Sequence, residues 1–311
     1  MARVMTITLN SAYDLVGHLA HLTRGEVNQV DNLGLYPAGK GINVGKVLHD
    51  LGVKVALSGF LGQENQTGFQ ALFSRLHLTD LFHRVSGATR INVKLTEDNG
   101  VVTDLNFQGY HVNKQDWQKF VDFSLQQSQT FDVIAVCGSL PCGIHVDDFT
   151  AWLNQLNANN AKIVLDTSQQ AFASGIRAKP WLVKPNRHEL ESWYGSSLTT
   201  QQQIIHAAKQ IQKYGVPHVV VSMGKEGAIW LHENTVLYAQ PPQDTHIVST
   251  VGAGDTMVAG FIYGMLSGYA PEKTLASATA LSTLAVSQSN VGISDLTLLN
   301  PILEKIKITF I

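Results

Sequence analysis

The chain has 311 residues, 44% hydrophobic and 15% charged, a balance that supports a sizeable buried core and excludes a disordered chain. Lys and Arg total 22 against 24 Asp and Glu, a formal net charge of −2, which excludes nucleic-acid binding through a broad basic surface. A small anionic substrate stays open, because it needs only a few local cations.

The opening "MARVMTITLNSAYDLV" has neither the basic region nor the apolar core of a signal peptide. Instead residues 3–9, "RVMTITL", alternate as a strand does. Further apolar, β-branched runs follow at 53–61, 131–138, 161–167, 180–186 and 216–224, with helical patterns between them at 41–52, 65–76, 115–127 and 200–215. Strand–helix alternation at this spacing predicts an α/β fold, a mainly parallel sheet covered on both faces. Ligands of such sheets sit beyond the carboxyl ends of the strands. The glycines and polar residues that end each run therefore carry most of the functional information.

Two stretches depart from the alternation. Residues 11–38 show no convincing helix, and "TRINVKLTEDNGVVTDLNFQG" (89–109) predicts a hairpin turning near Asp98, Asn99 and Gly100. Within it Arg90, Asn92 and Lys94 alternate with Ile91, Val93 and Leu95, giving one polar and one apolar face. Together the two segments predict a small β-sheet lid inserted in a single α/β domain spanning 1–311. After residue 254 the pattern reads as helical. Gly260 and Gly264 there have GxxxG spacing, but the run is too short for a bilayer and predicts close helix packing in a core. No window approaches the roughly 20 apolar residues of a membrane span. Cys137 and Cys142 are too few for a zinc tetrad or a disulfide framework and read as reduced thiols. A soluble cytoplasmic protein is expected, with no membrane and no nucleic-acid partner.

The chemistry-bearing residues lie at the ends of these runs. In "STVGAGDTMVAG" (249–260), Gly252, Ala253 and Gly254 can offer free N–H groups at the first turn of a helix, where the dipole favours an anion. Charge developing on a transferred phosphoryl group would be stabilised there. Asp255 beside them either takes a proton from an attacking hydroxyl or simply caps the helix. In "LGLYPAGKGINVGK", Gly34 to Lys40 fit G-x-x-x-x-G-K, yet Gly41 stands where a P-loop needs Ser or Thr, Pro37 sits inside the loop, and the preceding residues give no clear strand signal. A P-loop is rejected. What remains is a glycine-rich helix start: Gly39 and Gly41 allow close approach, Lys40 supplies a point charge and Asn43 can bond a sugar hydroxyl. A turn with a solvated lysine is the alternative.

Asn10 ends the first strand and Asp14 follows in a loop, placed either for sugar hydroxyls or to form a turn. In "KPNRHE", Lys184, Asn186 and Glu189 can face phosphates and the waters of Mg²⁺, unless Glu189 only complements a helix dipole. In "SMGKEG", Ser222, Gly224 and Gly227 make a turn between strands that a nucleotide can approach, although most such turns bind nothing. The 12 histidines form no catalytic or metal pattern.

Taken in order, "AGKGINVGKVLHDLG", "GSLPCG", "KPNRHEL", "SMGKEGA" and "STVGAGDTMVAGF" make the chain resemble the phosphofructokinase-B (ribokinase-like) family of sugar kinases over essentially its full length. The resemblance implies a three-layer α/β/α core whose β lid also clasps a homodimer. It implies transfer of the ATP γ-phosphoryl group to a sugar hydroxyl, with Mg²⁺ beside the nucleotide. By the same resemblance Asp255 is the base and Gly252, Ala253 and Gly254 are the anion hole. Ser222, Gly224 and Gly227 are the nucleotide loop, and Lys184, Asn186 and Glu189 handle phosphate and Mg²⁺. Asp14, Gly39, Lys40, Asn43 and Ser139 fall on the sugar side, and Arg90 with Lys94 clamps a phosphate already on the sugar.

Within the family, "TITLNSAYD" with "TRINVKLTE" is most similar to the members acting on D-fructose 1-phosphate. Tagatose 6-phosphate and fructose 6-phosphate are the alternative acceptors. Two departures stand out. Ser11 replaces a usual proline, which would loosen the loop carrying Asp14, and Cys142 replaces a usual serine, removing a hydroxyl near the cleft. Two rivals are a non-catalytic sugar-phosphate sensor, disfavoured by the intact Asp255 loop, and a nucleoside kinase, disfavoured by Lys40, Arg90 and Lys94.

Overall fold

A computed structural model describes residues 3–288 and 291–311 of the chain. The strands are β1 (Arg3–Thr8), β2 (Ala12–Leu19), β3 (Asp31–Ala38), β4 (Lys54–Gly62), β5 (Thr79–Val85), β6 (Arg90–Glu97), β7 (Val102–Leu105), β8 (Val133–Gly138), β9 (Lys162–Thr167), β10 (Leu182–Val183), β11 (His218–Ser222), β12 (Ala228–His232), β13 (Thr235–Gln240) and β14 (Lys307–Phe310). Ten of them form one sheet in the order β5-β4-β1-β8-β9-β10-β11-β12-β13-β14. From β5 to β11 every neighbour is parallel, and β12, β13 and β14 add on antiparallel.

Alternation along each strand decides which layer a side chain enters. In β8, Ile134 and Val136 join Phe120, Phe149 and Trp152 in one core. Val133, Ala135 and Cys137, which alternate with them in sequence, join Ile42, Phe69 and Phe261 in the other. Strands buried on both faces need continuous apolar runs, which is why these strands read so clearly in the sequence. The helices Lys114–Ser128, Val146–Ala158 and Gln201–Lys213 cover the first face. Lys40–Asp50, Thr67–Arg75, Ala253–Leu266 and Pro271–Val286 cover the second. The GxxxG pair works inside this second layer: a Cβ on Gly260 would come within 2.6 Å of Ala278 Cα, and one on Gly264 within 2.9 Å of the Thr274 methyl. None of the described helices is long and apolar enough to cross a membrane.

Several sequence expectations are corrected. The segment after residue 254 is not wholly helical: Lys307–Phe310 forms β14 and covers the β13 edge. The run at 180–186 supplies only the two residues of β10 to the ladder, because Pro180 and Pro185 flank it and lack the N–H that a central strand needs. The edge strand β5 carries Asp80, His83 and Arg84, a charged pattern that hides an edge strand from apolar periodicity.

A second sheet has the order β3-β2-β6-β7, with β2 parallel to β6 and the two outer pairs antiparallel. Asp14 lies within β2, not in a loop. Tyr13 is buried against Phe69 with ring centroids 4.6 Å apart, and strand alternation then turns Asp14 to the opposite face, level with Asn92. Leu35, Leu15, Val93 and Leu105 share one register row across all four strands on the other face.

Candidate active site

The parallel strands end at a cleft of about 940 Å³ whose far wall is the small sheet. Gly252, Ala253, Gly254, Asp255, Lys40, Asn43, Ser139, Lys184, Asn186, Ser222, Gly224, Gly227, Gly39, Asp14, Arg90 and Lys94 all line it. Glu189 stands behind that lining, with one carboxyl oxygen 3.9 Å from Lys40 Nζ.

The loop before the helix Ala253–Leu266 is shaped by Gly252, the N-cap, at φ 76°. That left-handed backbone suits glycine, and a Cβ would also strike Val291 at 2.5 Å. Ala253 N–H leans on Thr250 O at 3.5 Å, and Thr256 N–H is taken by Gly252 O. The N–H groups of Gly252, Gly254 and Asp255 have no partner among the described residues, so within the Gly252–Gly254 run only Ala253 is engaged, and Asp255 adds a further N–H free to meet an anion.

Asp255 is only 6% exposed. Asn43 Nδ2 donates to its Oδ2 at 2.8 Å, so Asn43 holds the carboxylate as well as facing the cleft. Burial pushes the Asp255 carboxyl up to about 6, with Asp166 adding to the rise while Lys40, Lys184 and the Asn43 hydrogen bond oppose it. Such a group is a stronger base than an ordinary carboxylate and is still ionised at neutral pH.

The cations are placed less simply than the sequence suggests. Burial pulls the Lys40 ammonium down, but Asp166, Asp255 and Glu189 outweigh it and hold the group above its ordinary range. Lys184 is 3% exposed and pairs with Asp166 at 3.3 Å. Asp166, at the end of β9, was missed by sequence reading. The signal was the lone acidic residue closing "AKIVLDT", but both lysine partners are distant in sequence. Asn186 and Glu189 form a reciprocal capping box at the start of the helix Arg187–Tyr194, so the helix-end role is real. Glu189 satisfies it with Oε2, and Oε1 faces Lys40.

In the small sheet, Lys94 Nζ lies 3.2 Å from Asp104 and 3.9 Å from Asp14. Burial raises the Asp14 carboxyl, and Lys94 and Asn92 partly offset this. Arg90 is not presented as an open clamp: its guanidinium donates to the carbonyls of Asn10, Ser11 and Phe107 at 3.1, 3.4 and 3.2 Å. Ser139 Oγ accepts from Asn10 Nδ2 at 3.1 Å. Ser11 does not loosen its loop. It is fully buried, its N–H donates to Tyr110 Oη and its hydroxyl to Phe60 O, and a proline there would lose the first bond. Cys142 is exposed and lies outside the cleft lining. At the opposite end of the cleft, Gly227 has φ 92°, and a Cβ would sit 1.9 Å from Ala239 O, so the turn between β11 and β12 tolerates only glycine there.

A model of pfkB family carbohydrate kinases matches residues 1–298. The chain belongs to this family. Among curated pfkB relatives, the 1-phosphofructokinase of Haemophilus influenzae is 56% identical over 311 residues, covering 100% of this chain and 99% of its own. That of Escherichia coli is 53% identical over 293 residues, with 94% of each chain covered. Among solved structures, the Escherichia coli phosphofructokinase-2 superposes with a TM-score of 0.88 at 21% identity, over 98% of this chain and 99% of that one, a likeness of fold. A pfkB carbohydrate kinase takes ATP as phosphoryl donor, and the cleft described above spans the strand ends where such donors bind.

Proposed function

We propose that the chain transfers the γ-phosphoryl group of ATP to the 6-hydroxyl of D-fructose 1-phosphate, giving D-fructose 1,6-bisphosphate and ADP. The observation that carries the chemistry is Asp255, buried, bonded to Asn43 at 2.8 Å and set beside the free N–H groups of Gly254 and its own backbone. The choice of acceptor is supported by relatives at 45–56% identity named 1-phosphofructokinase.

In this reading Asp255 accepts the proton of the attacking hydroxyl, and the two N–H groups with Lys184 stabilise charge on the transferring phosphoryl oxygens. The nucleotide runs along the Ser222, Gly224 and Gly227 turn. The sugar lies between Gly39, Lys40, Ser139 and the polar face of the small sheet, which acts as a lid within one 1–311 domain. The acceptor's own phosphate displaces Asp104 from Lys94, and Arg90 joins only by exchanging its carbonyl partners. Mg²⁺ would enter with the ATP. Among the described residues no group of three or more His, Cys, Asp or Glu could cage a metal, so the residues fit an ion held by phosphates and water with Glu189 Oε1 nearby. When bound, it neutralises charge on the phosphate oxygens.

The apolar row Leu35, Leu15, Val93 and Leu105 leaves Leu35 and Leu105 about half exposed, with Leu33 and Phe107 beside them. Such a face on a four-stranded sheet supports pairing with a second copy through the lid. ATP and a sugar phosphate, both too charged to cross a bilayer unaided, support a cytoplasmic setting.

The reading is tested by ADP release with Mg-ATP and fructose 1-phosphate, fructose 6-phosphate, tagatose 6-phosphate or adenosine. Fructose 1-phosphate should have the highest kcat/KM. A higher value for another acceptor would refute the substrate and leave the mechanism. No turnover with any of them by folded protein would refute the kinase reading and favour a sugar-phosphate sensor.

A further inference from the structure

Beneath the cleft floor lies a carboxylate that the roles above leave unused. Asp166 is 1% exposed and faces two lysines carried by separate elements. Lys184 Nζ is 3.3 Å from Oδ1, and Lys40 Nζ is 3.5 Å from each oxygen. The Lys184 ammonium lies against the anion-binding loop, since a Cβ on Gly254 would be 3.3 Å from its Nζ. Lys40 Nζ also lies 3.9 Å from Glu189, and 36% of its side chain is exposed. Asp166 itself does not line the cleft. A buried ammonium without a counter-ion is strongly disfavoured and would leave its place.

We propose that Asp166 is a positioning residue for phosphoryl transfer: it anchors the Lys184 and Lys40 ammonium groups at the transferring group and balances their charge beside Asp255. The inference rests on the kinase reading above and not on the identity of the sugar.

The groups facing Asp255 are Asn43 and Lys40 from the helix Lys40–Asp50, Cys137 from β8, Asp166 from β9 and Lys184 just beyond β10. Both lysines and the Asn43 hydrogen bond favour the ionised carboxylate, whereas Asp166 disfavours it. A neutral residue at 166 therefore leaves two cations acting on Asp255 without their counter-charge. Asp255 becomes a weaker base, and both ammonium groups lose their anchor.

The test follows kcat and KM from about pH 5 to about pH 9 for wild type, Asp166→Asn and Asp166→Glu, using whichever sugar phosphate the wild type turns over. Thermal unfolding is recorded alongside. Asp166→Asn should lower kcat on the order of 10²-fold, change KM for ATP far less, and move the acid limb of kcat/KM to lower pH. Asp166→Glu keeps the charge but shifts it, so the acid limb should stay in place while kcat still falls. An undiminished kcat in either variant overturns the proposal. So does an acid limb that stays put in folded Asp166→Asn, including the case where only the Mg²⁺ requirement changes. If Asp166→Asn does not fold, Asp166→Glu decides alone by the same criteria. A wild type inactive on every sugar phosphate would remove the kinase reading and this inference with it, a result distinct from failure in the variants alone.

Discussion

Asp255 meets two opposed demands, since ionisation that serves catalysis works against burial. Its carboxyl sits at about 6 in the folded chain, above the ordinary value near 3.9 of an unfolded one. The folded state thus holds a proton more tightly, and this contribution to stability is complete below the unfolded value and lost as pH rises through about 6. Asp255→Asn should therefore raise the melting temperature at pH 8, with the gain shrinking below pH 6, while turnover drops by at least about 10³-fold. Calorimetry and ADP release on the same samples check both halves. In the wild type kcat/KM should fall as pH drops through about 6. His218 has the opposite sign. It lies between Trp181 and Trp230 and stacks on His232 at 4.8 Å, its Nδ1 is buried without a partner among the described residues, and burial lowers it to about 4. The stability of its neutral form is present above the unfolded value near 6.5 and lost as pH falls through about 4. His218→Phe should flatten the acid-side loss of melting temperature between those values. An unchanged slope would show that other groups carry it.

Among the elements, the contact between helices Ala253–Leu266 and Pro271–Val286 depends on glycine's missing side chain. Gly260→Val forces a methyl-bearing carbon onto the Ala278 backbone, 2.6 Å away at Cβ alone. A loss of about 1–3 kcal/mol is expected in denaturant unfolding. Because the same helix presents Asp255, kcat should fall as well. The same helix also shows what a sequence can and cannot say. Its start was legible because the glycines, the aspartate and the apolar run are contiguous. The fate of "PWLVKPN" was not, because two prolines reduce an apolar run to a two-residue strand. Ser11 was misread for a related reason: its support comes from Tyr110 and Phe60, far along the chain.

At the scale of the molecule, the α/β alternation and the glycine loops were readable because each is local, whereas the electrostatic centre of the cleft is not. Asn43 meets Asp255 across 212 residues and Lys40 meets Asp166 across 126, and no window of sequence contains either pair. For the same reason Arg90 looked like a free clamp until its carbonyl partners from the Asn10–Ser11 and Phe107 segments were in view. The exposed row on the small sheet leads to another expectation: Leu35→Asp should convert a dimer to monomers by light scattering, since a charge in an apolar interface is left unpaired. A monomeric wild type would contradict the pairing. Phosphoryl transfer to the 6-hydroxyl by Asp255 is tested by ³¹P NMR of the product formed from fructose 1-phosphate and Mg-ATP by wild type and Asp255→Asn. A new phosphomonoester on C6 is expected with the wild type and none with the variant. Phosphorylation at another position, or full turnover by Asp255→Asn, would contradict it.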